Sequence, residues 1–324
     1  MLESILGSSR IGGIVAHDPG GAEIVASFVR KLPYRPLLVL KGPARQVFER
    51  KLGQIATLEL PALFEALRPG ESILTGTSLA SNLEREAIAL ARARGVKSAA
   101  FLDHWINYPL RFGSTEEWKA LLPDEIWVGD ELSYQVALKA GFPAERLRNV
   151  ENIHLGEVRA DILGRLQSGA KPSRATMPAR RVLLLSEPIS LLSQKVFGCL
   201  DGYGFTEHTL AESVAEVVAK QQHPSFEQLR IRPHPKENPA DYERIVSALN
   251  HPRVLLSSEP DYIEEILWAD AVIAIESMGL VFALMGNRHA ISYIPSPSYE
   301  CHLPHPQLVR TGDLPSLLGA LGYA

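Results

Sequence analysis

The chain has little cysteine. Cys199 and Cys301 are its only two in 324 residues, too few for a disulfide framework, so a reducing compartment is expected. It has no excess of one charge. Lys and Arg number 33 against 37 Asp and Glu, for a net charge of -4, which argues against binding nucleic acid through bulk electrostatics. No apolar run reaches the ~18 residues that a membrane span requires, and the first ten residues carry neither a basic run nor a long apolar core. A signal peptide is therefore not expected, and a cytoplasmic protein with at most peripheral membrane contact is. No two aspartates are spaced Asp-x-Asp, a pair that commonly holds a divalent ion. The segment Cys301-His302-Leu303-Pro304-His305 has no partner pair, so no metal site is expected. No cofactor is expected either.

What is present is a globular composition, 46% hydrophobic and 22% charged, over a length that suits two domains. Apolar runs of four to six residues alternate with stretches of helical periodicity, as at Ile11–Ala16 followed by Glu23–Leu32. Strand follows helix in this way from end to end, with Ile55–Leu58 read as one short strand. The pattern predicts an α/β fold with mostly parallel sheets covered on both faces. Residues 167–179 carry Ser, Gly, Lys and two prolines with almost nothing to bury. They are the expected linker between a first domain at 1–166 and a second at 180–324, with a cleft between them.

The polar residues gather where strands end, which is where open α/β sheets bind ligands. The first strand runs into His17-Asp18-Pro19-Gly20-Gly21. Glycines there allow close backbone approach, and the following helix offers free N–H groups. The turn is neither Gly-x-Gly-x-x-Gly nor a Walker A loop. Asp18 has two readings, a functional carboxylate or a helix cap. A later strand ends in Asp103-His104-Trp105-Ile106-Asn107-Tyr108. This mixture fits a sugar or acceptor pocket, or else Trp105 and Tyr108 pack beneath the domain.

In the second half, Ile231-Arg232-Pro233-His234-Pro235-Lys236-Glu237 leaves a strand with a proline on each side of the histidine. Both prolines stiffen an extended backbone. One imidazole flanked by two cations suits an anionic oxygen such as a phosphate. Further on, Ala271–Ile275 leads into Glu276-Ser277-Met278-Gly279 at a strand-to-helix junction. Ser277 and the first N–H groups there either hold a phosphate or form a plain helix cap.

Arg-Pro-His234-Pro-Lys236, followed by Asp270-Ala-Val-Ile-Ala-Ile-Glu276-Ser277-Met-Gly and then by Gly286-Asn-Arg-His-Ala-Ile-Ser-Tyr293, resembles the carboxyl-terminal domain of GT-B glycosyltransferases. The likeness is greatest to bacterial sialyl-, polysialyl- and Kdo-transferases and to CDP-glycerol glycerophosphotransferases, and it covers roughly residues 180–300. It implies two Rossmann-like domains and an inverting, metal-independent glycosyltransferase working on surface glycans or proteins. The donor would be a nucleotide-activated sugar, first a CMP-linked nonulosonate or Kdo, and the partner a glycan or protein acceptor. It carries His234 and Pro235 onto the phosphate-holding His-Pro motif and Ser277 onto the later turn, and it suggests Glu276 near the ribose; Arg232, Lys236 and Gly279 are expected beside them at the nucleotide and its phosphate, with His234 also catalytic. It implies an acidic base in the first half, for which Asp18 and Asp103 are the candidates. Neither sits in that family's usual motif. His17, Gly20, Gly21, His104, Trp105, Asn107 and Tyr108 would then lie on the acceptor or sugar side. The layout also resembles UDP-GlcNAc 2-epimerase, so a UDP-sugar transferase or epimerase is the alternative, and a non-catalytic nucleotide- or sugar-binding module is another.

Overall fold

Strand β1 (Arg10–Ala16) is buried along all but its first residue, the pattern of a strand covered on both faces of a parallel sheet. A computed structural model describes residue 6 and residues 9–113, 116–169, 175–220 and 223–323. The chain forms two compact units, one through Glu157 and the other from Val158.

Unit 1 continues through α1 (Pro19–Lys31), β2 (Leu37–Leu40), α2 (Ala44–Leu52), α3 (Leu60–Ala66) and β3 (Glu71–Thr75). It then runs through α4 (Leu83–Ala93), β4 (Ser98–Phe101), β5 (Glu125–Val128), α5 (Glu131–Lys139), β6 (Leu147–Asn149) and the start of α6 (Ile153–Gln167). Its six strands are ordered β2-β1-β3-β4-β5-β6, and every pair is parallel. Helix α1 begins a turn earlier than periodicity predicts, because Pro19 suits the first helical position and Gly20 and Gly21 join that turn. The expected strand at 55–58 is not a strand. Its end still lies along the sheet edge, where the Leu58 N–H donates to the Leu38 carbonyl at 2.7 Å. Ile14, Phe28, Phe48, Leu74, Phe101 and Trp127 pack one core of this unit.

Unit 2 contains β7 (Arg181–Leu185), α7 (Ile189–Phe197), α8 (Glu207–Lys220), β8 (Gln228–Arg232), α9 (Pro239–Leu249) and β9 (Val254–Leu256). It is completed by α10 (Tyr262–Trp268), β10 (Ala271–Ala274), α11 (Met278–Met285), β11 (His289–Tyr293), β12 (Val309–Thr311) and α12 (Leu314–Leu321). The strand order is β12-β11-β10-β7-β8-β9, again all parallel. Counted within the unit this is the 3-2-1-4-5-6 order of nucleotide-binding sheets, which switches direction between its first and fourth strands. Val182, Leu184, Leu229, Ile231, Ile273 and Ile291 form the spine of its core.

Both halves are therefore α/β and Rossmann-like, as the alternation predicts. The division between units falls inside α6, ahead of residues 167–179, of which 170–174 lie outside the described residues. Among the described residues no helix is long and apolar enough to cross a membrane.

Candidate functional site

Two polar clusters form, one in each unit, at the carboxyl ends of the strands at the switch in strand order and of the strand next to it. In unit 1 the cluster joins the ends of β1, β3 and β4. The His17 N–H donates to Glu84 Oε1 at 2.7 Å, and His17 Nδ1 lies 2.8 Å from Asp18 Oδ1. Asp18 Oδ2 accepts the Leu79 N–H at 3.2 Å. Burial works to raise the Asp18 carboxyl. Hydrogen bonds from His17, Ser78 and the Leu79 N–H outweigh it and hold the group below the usual aspartate value. Asp18 does precede α1, but its side chain makes no cap hydrogen bond there. Glu84 is 3% exposed, and burial pushes its carboxyl up to about 7 against the bond from His17.

Glycines let these strand ends approach one another. A Cβ on Gly20 would lie 2.3 Å from Asp103 Oδ2, and one on Gly21 would lie 3.1 Å from the Thr77 backbone nitrogen. Asp103 is not a free carboxylate. Arg111 donates to its Oδ1 within an ion pair whose side chains are 7% and 11% exposed, and Thr77 Oγ1 lies 3.2 Å from the same oxygen.

The two aromatic side chains of the expected acceptor pocket are buried. Trp105 is 5% exposed and Tyr108 1%, which fits the reading that they pack beneath the domain. Trp105 Nε1 donates to Asp130 at 3.4 Å, and Asp130 caps α5 through the Ser133 N–H at 2.6 Å. Tyr108 meets Phe142 edge-on at 6.2 Å. His104 packs its ring against Trp105, 5.9 Å between centroids. Asn107 takes a left-handed backbone, φ 57°, which turns the chain between these two anchored aromatics.

In unit 2, His234 follows β8 as the sequence predicts. Its N–H donates to Glu237 Oε2 at 2.6 Å and its carbonyl accepts the Glu237 N–H at 2.9 Å. Its Nδ1 accepts the Lys236 N–H at 3.1 Å, which places the proton of the neutral ring on Nε2. Burial and the nearby Lys236 lower the imidazole's pKa. The residue is thus a fixed neutral donor. Glu237 Oε1 accepts from Ser186 Oγ at 2.9 Å, and Ser186 also bonds to the Tyr242 hydroxyl. The turn is thereby tied to the end of β7 and to α9.

The two cations beside His234 differ. Lys236 is exposed and makes no ion pair among the described residues. Arg232 is already paired within the unit. Its guanidinium donates to Glu265 Oε2 and to the Glu259 carbonyl, both at 2.5 Å. Glu265 is 0% exposed, so this arginine neutralises a buried carboxylate.

Ser277 caps α11 through the Gly279 N–H at 3.1 Å. Next to it, Glu187 follows β7 and its Oε1 accepts the N–H groups of Ile275 and Glu276 at 2.7 and 2.9 Å. Burial, reinforced by the charge of Glu276, pushes the Glu187 carboxyl up to about 8. Glu276 itself is 5% exposed. It accepts from the Tyr299 hydroxyl, and from the His302 N–H with His302 Nδ1 also 3.1 Å away. Both of its oxygens are therefore occupied by the loop after β11. The hydrogen bond that His302 donates to the Glu276 carboxylate raises the His302 pKa. Among the described residues no three His, Cys, Asp or Glu side chains gather as a metal site.

Glu84, Glu187, Glu237 and Tyr299 were not singled out from sequence, since each acts on a partner distant along the chain. A weak signal exists for Glu187, which ends the strand beside the switch point.

No protein-family model and no curated protein sequence matches the chain. Solved structures do. A putative UDP-N-acetylglucosamine 2-epimerase from Listeria monocytogenes aligns over 97% of this chain and 90% of its own, at 12% identity and a TM-score of 0.60. The UDP-GlcNAc 2-epimerase of Methanocaldococcus jannaschii aligns over 95% and 91%, at 10% identity and 0.59. Anabaena Alr3699/HepE, solved in complex with UDP, aligns over 97% and 93%, at 12% identity and 0.57. At these identities the likeness is one of fold, and the fold is the two-domain GT-B arrangement of Rossmann-like halves.

Proposed function

We propose that this chain is a sugar-nucleotide enzyme, and specifically an inverting glycosyltransferase whose donor nucleotide binds unit 2. The observation that carries this reading is His234. It stands at the carboxyl end of β8 on a loop clamped by Glu237, with Nδ1 satisfied and Nε2–H left to donate. A donor held in this way needs no reorganisation when charge builds on a departing phosphate. Lys236 adds an exposed cation beside it, and the N-terminus of α11 adds N–H groups two strands away. Leaving-group charge is met by protein groups, which is what a metal-independent transfer requires.

The donor of first choice is CMP-linked, a nonulosonate or Kdo, because the Arg-Pro-His-Pro-Lys segment and the Glu-Ser-Met-Gly turn resemble those transferases. The acceptor, a glycan or protein hydroxyl, is assigned to unit 1 at the end of β1. Glu276 supports the ribose side indirectly, by holding the loop at Tyr299 and His302. A UDP-sugar is the second reading, favoured by the fold shared with UDP-GlcNAc 2-epimerases and with a protein solved in complex with UDP. An epimerase would consume a UDP-sugar with no acceptor present.

Thermal unfolding with CMP, CDP, UDP, GDP and ADP tests the assignment. A nucleotide at 100 times its dissociation constant stabilises by about 2.7 kcal/mol, a shift of a few degrees. A shift with CMP is the expected result. A shift with UDP alone transfers the proposal to UDP-sugars, and no shift with any nucleotide overturns it. His234→Ala should then lower turnover at least about tenfold, the equivalent of one lost hydrogen bond to a charged group.

A further inference from the structure

Resting on the sugar-transfer reading, we infer that the proton acceptor for the incoming hydroxyl is His17, with Asp18 as its orienting partner. The backbone of His17 is fixed from both sides. Its N–H donates to Glu84 Oε1 at 2.7 Å and its carbonyl accepts the Ala44 N–H at 3.0 Å. The ring is fixed by Asp18 Oδ1, 2.8 Å from Nδ1, and Asp18 is fixed in turn by the Leu79 N–H on its other oxygen. An ionised carboxylate only accepts hydrogen bonds, so the Nδ1 proton points at Asp18 and the Nε2 lone pair is left bare. This is the opposite tautomer from His234, which keeps its proton on Nε2 to donate.

Access to Nε2 depends on a glycine. Gly42 has φ 52°, and a Cβ built there would lie 2.7 Å from His17 Nε2. The histidine side chain is 23% exposed, which leaves the ring within reach of a ligand. The two other candidates are less suited. Asp18 already accepts on both oxygens, and Asp103 is ion-paired with Arg111 in a buried setting. The charged groups facing His17 are Asp18 at Nδ1 and Glu84 at its N–H; the Lys41 ammonium pairs with Glu59 at 2.5 Å.

The step is balanced as follows. The acceptor O–H proton passes to His17 Nε2 while the oxygen bonds to the anomeric carbon. The bond from that carbon to the phosphate oxygen breaks, and its electron pair leaves with the nucleotide. The imidazolium returns its proton to solvent.

Two readouts on the full chain test this. The first is the imidazole ¹⁵N spectrum, with the His17 signals assigned through His17→Gln. Wild type should show the Nδ1–H tautomer, and Asp18→Ala should shift His17 toward the Nε2–H form. The second is nucleotide release from CMP-sialic acid and from UDP-N-acetylglucosamine with water as acceptor. His17→Gln should lose roughly 100-fold or more in rate and lose the acidic limb of the pH profile, yet keep the same nucleotide-induced rise in unfolding midpoint. An Nε2–H tautomer in wild type, or a His17→Gln variant that keeps its rate and acidic limb, overturns the base role alone. A wild type that releases nucleotide from neither donor overturns the sugar-transfer reading, and the base role with it.

Discussion

Glu237 Oε2 accepts the backbone N–H of His234 at 2.6 Å, and the Glu237 N–H returns a bond to the His234 carbonyl at 2.9 Å. The carboxyl also takes the Ser186 hydroxyl, so one side chain ties the His-Pro turn to the neighbouring strand. Glu237→Ala would leave the His234 N–H without its partner and Ser186 with only the Tyr242 hydroxyl, a cost of about 1 to 3 kcal/mol. The loop would lose its fixed aim. Calorimetric titration with CMP and UDP should show nucleotide affinity reduced about tenfold while the fold persists. Unchanged affinity would mean that the turn does not position a phosphate ligand.

Arg232 is expected to behave as a structural cation. Its partner Glu265 is 0% exposed, and removing the arginine would strand that carboxylate. Breaking a buried pair by taking one partner away costs about 3 to 5 kcal/mol. Arg232→Met should therefore lower the urea midpoint strongly. The double variant Arg232→Met with Glu265→Leu should recover much of the loss, since replacing a whole buried pair by apolar groups is close to neutral. A stable single variant with weakened nucleotide binding would return Arg232 to the phosphate.

Much of the fold was legible because strands buried on both faces read as apolar runs, as in β1, β7 and β10. Elements that bury little were not legible. Helix α6 buries only Ile162, and β12 has no buried residue. In α7, Leu191, Val196 and Phe197 are 49%, 57% and 50% exposed, so its apolar residues give no inward stripe. Sequence also located His17, Asp18, His234 and Ser277 at strand ends, because proline and glycine mark those turns. It could not assign their partners. Glu84 is 67 residues from His17, and Glu187 is 88 from Ile275. Trp105 and Tyr108 show the converse, since composition alone cannot distinguish an aromatic that lines a pocket from one that fills a core.

The buried Glu84 makes stability depend on pH with a definite sign. Its carboxyl titrates at about 7 in the folded chain against an ordinary value of 4.5. Between those values the folded state keeps a proton that the unfolded chain has released. Stability from this group is thus fully present below about 4.5 and is lost as pH rises through about 7. Glu84→Gln keeps an acceptor for the His17 N–H and cannot ionise. The difference in urea midpoint between variant and wild type should move in the variant's favour from about pH 5 to about pH 8. A constant difference would show that Glu84 is ionised throughout. Comparing the two proteins at each pH cancels the other shifted groups, Glu187 among them.

Gly279 separates a packing role from a ligand role. The α11 N-terminus carries glycine here, and a glycine at a strand-to-helix turn serves either close phosphate approach or close helix–strand packing. A Cβ at this position would lie 2.2 Å from Leu185 Cδ1 and 2.3 Å from the Tyr262 hydroxyl oxygen. Leu185 on β7 is buried, and Tyr262 at the start of α10 is half-buried. Overpacking of this kind costs about 1 to 3 kcal/mol. Gly279→Ala should lower the unfolding midpoint by several degrees, while the folded protein binds nucleotide within about threefold of wild type, because a packing defect on the inner side of α11 leaves its first N–H groups in place. The opposite pattern, a normal midpoint with affinity lost, would place the glycine against the phosphate.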